Sequence, residues 1–279
     1  MEAIEQPGSQ ETVVQAKVFP SITLALLVLS VACTWLWKAF PGEVSRWLYA
    51  TDFEFWHGEK LWSLFTSLFL HVDFLHLAFN CYWVWRLGRV LEQEVSRPQY
   101  AALILVTTLF GSLAEFAVSA QTGAGMSGML YGLFGYMLVE RGRRPVFRRV
   151  LDSNTIALLL GWLVLCFWLT HRRSMPVANF AHVGGLVAGM LCGFAASGRK
   201  FRKVALAGLC GMLLGCVAPL FWAPWHDNWH YVQALDALKM HIKRSFQGPG
   251  FSGVLSPAPA AARMDGPGGG GSQNPAEGL

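Results

Sequence analysis

The chain has 279 residues, 53% of them hydrophobic and only 14% charged, against the roughly 25% charge of a typical soluble domain. With a mean hydropathy of +0.38, this excludes an ordinary water-soluble globule and points to a membrane protein. The net charge of +5 does not argue for nucleic acid, because the basic residues come in short bursts beside apolar runs, where anionic lipid is the simpler partner.

A polar tail over 1–18 sets Glu2, Glu5 and Glu11 against one lysine, Lys17. A spanning helix takes about 20 mostly apolar residues, and seven charge-poor runs follow the tail: 19–40, 62–85, 99–119, 126–139, 154–170, 180–197 and 204–223. The fold class is therefore an all-α polytopic membrane protein. The first run is too long for the apolar part of a signal peptide and is expected to stay as an anchor, and no Arg-rich transit peptide precedes it. Placing the N-terminus in the cytosol gives thirteen Lys and Arg in the cytosolic loops against five opposite, which favours this orientation and puts the end of a seventh span outside. Beyond it, Tyr231, Leu235, Leu238 and Ile242 recur at helical spacing among Lys239, Lys243 and Arg244, as in a helix lying in the interface or a short soluble one, over 226–247. The stretch 248–279 holds 9 Gly and 5 Pro in 32 residues and is expected to be disordered. Six cysteines (33, 81, 166, 192, 210 and 216) all fall in apolar runs without metal-ligand spacing, and are read as small buried hydrophobes.

Polar side chains inside spans are costly and mark candidate sites. In the second run His76 and Asn80, four residues apart, share one helix face; interhelical hydrogen bonding is the plainer use of such a pair. The fourth run opens Gly123-Ala124-Gly125-Met126-Ser127-Gly128 and leaves only about 15 residues before Arg141, some 23 Å of helix against a hydrocarbon core of about 30 Å. That helix must begin below the outer surface, with Ser127 bordering a hydrated cavity. Gly128, Gly132 and Gly135 line one of its faces. In the sixth run His182, Gly185, Gly189 and Gly193 follow at helical steps, so a histidine tops another smooth face. If the two glycine faces pack together, Ser127 and His182 lie at similar depth, where a serine and its general base can meet. With the His/Asn face as donors to a developing oxyanion, these are the parts of an acyl-transfer site.

These elements resemble the rhomboid family of intramembrane serine proteases over roughly residues 50–200. The resemblance rests on G-x-S-G at Gly125 to Gly128, A-H-x-x-G-x-x-x-G at Ala181, His182, Gly185 and Gly189, and H-x-x-x-N at His76 and Asn80, in the family's order. It implies a six-helix catalytic core over 19–200, a seventh transmembrane helix over 201–225, and a Ser–His dyad below the membrane surface, open to the non-cytosolic side. It implies Ser127 as nucleophile and His182 as general base. His76, Asn80 and the Ser127 backbone N–H would form the oxyanion hole, with Tyr131 packed against the His182 ring, and Gly125, Gly128, Gly185 and Gly189 in support. No metal or cofactor is expected. The implied partners are transmembrane protein substrates and the lipid bilayer. A bacterial inner membrane and a eukaryotic endomembrane or plasma membrane both fit, and the oligomeric state stays open. Gly88 to Glu92 and Gly135-Tyr136 also match and are read as structural. Where many members carry Trp-Arg in the first outer loop, this chain has Trp62-Ser63, losing a donor-rich anchor.

Two other functions compete. A proteolytically silent relative would keep the fold to bind or remodel client membrane proteins, and typically loses the Ser or the His. A transporter using the histidines as a proton relay predicts polar residues through the full membrane thickness, whereas these cluster in the outer half. Glu115, near the outer end of the third run, is expected to snorkel to the interface.

Overall fold

The computed structural model describes residues 19–49, 60–175 and 177–219, and among these it is all-helical. The polar N-terminal tail, the expected interfacial helix over 226–247 and the Gly/Pro-rich stretch from 248 lie outside the described residues. The helices are α1 (Ser21–Ala39), α2 (Pro41–Leu48), α3 (Ser63–Thr66) running into a 3₁₀ turn (Ser67–Phe69), α4 (Phe74–Glu94), α5 (Arg97–Ser119), α6 (Ser127–Glu140), α7 (Pro145–Val150), α8 (Ser153–His171), α9 (Asn179–Ala196) and α10 (Arg199–Val217).

Local chemistry sets these boundaries. Pro41 sits in the first turn of α2, where its missing N–H is no loss. Ser96 and Gln99 form a capping box at the start of α5, and Ala120 closes that helix in the left-handed conformation. The Asp152 side chain caps α8 by accepting from the Thr155 N–H at 2.7 Å.

The run 62–85 is not one continuous helix. Leu70 is extended after the 3₁₀ turn, and Asp73 then caps a new helix by accepting from the His76 N–H at 2.8 Å. The pieces Ser63–Phe69 and Phe74–Glu94 meet at 101°. A hydropathy scan merges them because both are apolar; the side-chain cap at Asp73 is what breaks the chain direction.

Among the described residues four helices, α1, α5, α8 and α9, are each long and apolar enough to cross a membrane, or five crossings if the bent pair counts as one, against seven expected runs. Three runs fall short of that measure, and the last of them, 204–223, is described only to residue 219. Helix α6 has 14 residues, about 21 Å at 1.5 Å per residue. Helix α4 carries Arg86, Arg89, Glu92 and Glu94, and α10 opens on Arg199, Lys200, Arg202 and Lys203.

The short helix α6 is the centre of the described helices. Its residues from Gly128 to Met137 are all buried, so it is enclosed by protein on every side, chiefly by α9, α5 and α4. Helix α8, by contrast, is only 17% buried and presents most of its surface outward. The cysteines divide: Cys166 and Cys216 are buried, but Cys210 is exposed and the other three lie between.

Conserving polarity within such a core requires partners. Glu92, 2% exposed, accepts from the Ile22 and Thr23 N–H groups and the Thr23 hydroxyl, each at 2.8 Å, so α4 caps α1 through space. Gly88, one turn earlier, leaves room for Thr23 and for Tyr100. Glu115 does not reach for the interface: it is 8% exposed, and its carboxylate turns inward to the start of α9.

Candidate active site

The glycine faces of α6 and α9 meet. A Cβ on Gly185 would overlap the Gly128 carbonyl, and one on Gly189 the Gly132 carbonyl, so the two backbones are in direct contact. This brings the side chains at the tops of the helices together: Ser127 Oγ lies 2.7 Å from His182 Nε2. Ser127 is the first residue of α6, so its N–H belongs to the unpaired, electropositive helix start.

His182 is 3% exposed. Its Nδ1 has no hydrogen-bond partner among the described residues, so no carboxylate orients the ring. Packing does so instead: the Tyr131 ring lies against it with centroids 4.9 Å apart, and the Tyr131 hydroxyl donates to the Leu159 carbonyl at 2.8 Å, tying both to α8.

His76 and Asn80 occupy the first two turns of α4. The His76 ring packs on Gly125, where a Cβ would stand 2.8 Å from Cε1; Gly125 also has φ of +113°, a conformation only glycine adopts without strain. Asn80 is 1% exposed and donates from Nδ2 to the His76 carbonyl at 2.9 Å. An amide nitrogen carries two hydrogens, so one N–H of Asn80 remains for another acceptor.

A further residue, His71, to which the sequence reading assigns no role, supports this group. His71 is fully buried. Its Nε2 accepts from the Met126 N–H at 3.4 Å, which places the neutral ring's proton on Nδ1. That nitrogen lies 3.3 Å from Thr34 Oγ1, and the Thr34 hydroxyl donates onward to the Phe69 carbonyl at 3.0 Å. The His71 ring also meets the His76 ring edge-on, centroids 4.9 Å apart. A histidine two residues before the helix-capping Asp73 was the available signal. The Gly125 N–H donates to the Ser67 carbonyl at 3.2 Å, fixing the loop before Ser127 to the bent segment.

Beside Ser127 lies a small cavity of about 20 Å³ lined by Ser67, Thr108, Gly111, Ser112 and Gly128 among others. Small residues and hydroxyls make up most of its walls, with Leu68 and Met129 as the large apolar members. At the departure from the Trp-Arg pair, Ser63 is buried and its hydroxyl has no hydrogen-bond partner among the described residues. Thr66 takes up part of the anchoring by donating to the Leu48 carbonyl at 3.1 Å. Among the described residues no cluster of His, Cys, Asp and Glu is arranged to hold a metal ion.

Comparison with known proteins places this geometry. The Rhomboid domain family matches residues 58–199, just over half of the chain. Rhomboid protease GlpG of Serratia proteamaculans (strain 568) is 31% identical over 158 residues, 57% of this chain and 52% of that protein. Rhomboid protease GlpG of Pectobacterium atrosepticum is 29% identical over 184 residues, 62% of each, and that of Yersinia pseudotuberculosis serotype IB is 28% identical over the same length. The chain thus spans between about half and three fifths of the length of the curated relatives it matches. With the family match over the helices that carry Ser127, His182, His76 and Asn80, the chain is an integral, multi-pass membrane protein and belongs to the rhomboid family.

Proposed function

We propose that the chain is an intramembrane serine endopeptidase that hydrolyses peptide bonds in or near transmembrane segments of other membrane proteins. The observation that carries this reading is the 2.7 Å contact between Ser127 Oγ and His182 Nε2, a nucleophile already in reach of its base. Ser127 Oγ attacks the scissile carbonyl carbon while its proton passes to His182 Nε2. The resulting oxyanion is received by the Ser127 N–H, the free N–H of Asn80 and the His76 ring. Collapse of the tetrahedral species breaks the C–N bond, and His182 returns the proton to the departing amine. Water then attacks the acyl carbon while giving a proton to His182, the bond from that carbon to Ser127 Oγ breaks, and His182 returns the proton to Oγ.

In this reading α4, α6 and α10 join α1, α5, α8 and α9 to make seven spans, with Ser127 facing the non-cytosolic side and the Arg141 to Arg149 loop in the cytosol. A relative that only binds client proteins has no use for a half-buried serine bonded to a buried histidine, and the contact favours catalysis over that alternative.

The test is labelling of the purified, detergent-solubilised protein with a fluorophosphonate, together with cleavage of a model transmembrane substrate. Both should be lost in Ser127→Ala and His182→Ala, and cleavage should weaken less in Asn80→Ala. Undiminished cleavage by Ser127→Ala would remove the mechanism.

A further inference from the structure

Helix α9 begins without a cap of its own. Ala178 precedes it and offers no side-chain hydrogen bond, which leaves the first N–H groups in need of an acceptor at a buried site. The acceptor comes from α5: Glu115 Oε2 receives the Phe180 N–H at 3.0 Å and the Ala181 N–H at 3.2 Å. His182 is the next residue. A carboxylate at a helix N-terminus is also favoured by the aligned peptide dipoles.

The surroundings leave little slack. Gly111, one turn before Glu115, sits against the Ala181 carbonyl, where a Cβ would stand at 3.1 Å, and a Cβ on Gly184 would meet the Phe110 carbonyl at 2.7 Å. Helices α5 and α9 therefore touch along their backbones, and the Glu115 contact sets how far α9 slides along α5. Such sliding is the motion that would carry His182 Nε2 away from Ser127.

We infer that Glu115 is a positioning residue: its carboxylate oxygen serves as the missing N-cap of α9 and holds His182 in register with Ser127. The inference rests on the proposed Ser–His hydrolysis. A single oxygen takes both N–H groups, so the requirement is for an acceptor at this reach, not for a negative charge.

Glu115→Gln keeps the reach and one acceptor oxygen, Glu115→Asp keeps the charge but falls short by a methylene, and Glu115→Leu keeps only the bulk. The full chain and these variants are compared for the rate of fluorophosphonate labelling and for kcat and KM on a model transmembrane substrate, with Ser127→Ala as the blank. Glu115→Gln should stay within about threefold of the native chain, while Glu115→Asp should lose about tenfold or more in labelling rate and kcat at unchanged KM, the size of one lost hydrogen-bonding contact at the base. Glu115→Leu should be at least as impaired; should it fail to fold, the Gln and Asp variants carry the comparison. An Asp variant as fast as native, a Gln variant slower than Asp, or a loss confined to KM would overturn the inference. Absence of Ser127-dependent labelling in the native chain would instead overturn the proposed hydrolysis itself.

Discussion

Gly185 of α9 and Gly128 of α6 are in backbone contact, and one turn on Gly189 repeats the contact with Gly132. Glycine here is a distance requirement. Any side chain at these positions must part the helices, and the Ser127 to His182 contact is the first thing lost. Since misplacement by about 1 Å can cost about 100-fold in rate, Gly185→Val and Gly189→Val should each lose about 100-fold or more in cleavage. Gly211 on α10, with open space around its Cβ position, provides the control: Gly211→Ala should cleave as the native chain does. Normal rates in both valine variants would mean that the helices do not meet as described.

The His71 ring joins α1, the bent segment and the residue before the nucleophile. Replacing it by Leu leaves the Met126 N–H and the Thr34 hydroxyl with one partner fewer in a buried place, which typically costs about 1–3 kcal/mol. His71→Leu should therefore lower the melting temperature in detergent and slow cleavage, although His71 touches no reacting atom. A variant that melts with the native chain and cleaves at its rate would show the ring to be a bystander.

Hydrogen bonding from Thr155 to Asp152 holds that carboxyl below the usual carboxylate range. A folded-state pKa below the unfolded value of about 3.9 means that the cap stabilises fully above that value and is lost as pH falls through the folded one. The melting temperature of Asp152→Ala should thus fall below that of the native chain at neutral pH, and the gap should close on acidification below about pH 4. A gap that persisted at low pH would assign the effect to helix propensity and not to the charged cap.

The sequence carried the existence of most helices because apolar runs long enough to span a membrane are its strongest signal. The observed bounds of α1, α5, α6, α8 and α9 lie within two residues of the expected runs. What it concealed was direction. The bend at Asp73 depends on one side chain accepting one N–H, and hydropathy has no term for that. Ser127 and His182 could be paired in advance because two glycine periodicities, one on each helix, require close partners. The roles of Glu115 and His71 were not legible for a different reason. Glu115 finds its acceptor role 65 and 66 residues away, and His71 lies 55 residues from the N–H it accepts; neither distance leaves a periodic trace in the chain.

Helix α1 contributes nothing to the proposed chemistry, yet its buried stripe of Thr23, Leu26, Ser30 and Thr34 meets Glu92, Met126 and His71 in turn: Thr23 bonds to Glu92, the Ser30 hydroxyl donates to Met126 Sδ at 3.1 Å, and Thr34 bonds to His71. In lipid, apolar surface alone gives a helix little reason to choose one rotation or height over another. The three hydroxyls supply that choice and act as teeth of a key cut along a single edge. A fragment begun after α1 would retain every side chain assigned to bond breaking, and yet the segment ahead of Ser127 would lose the wall against which it is set.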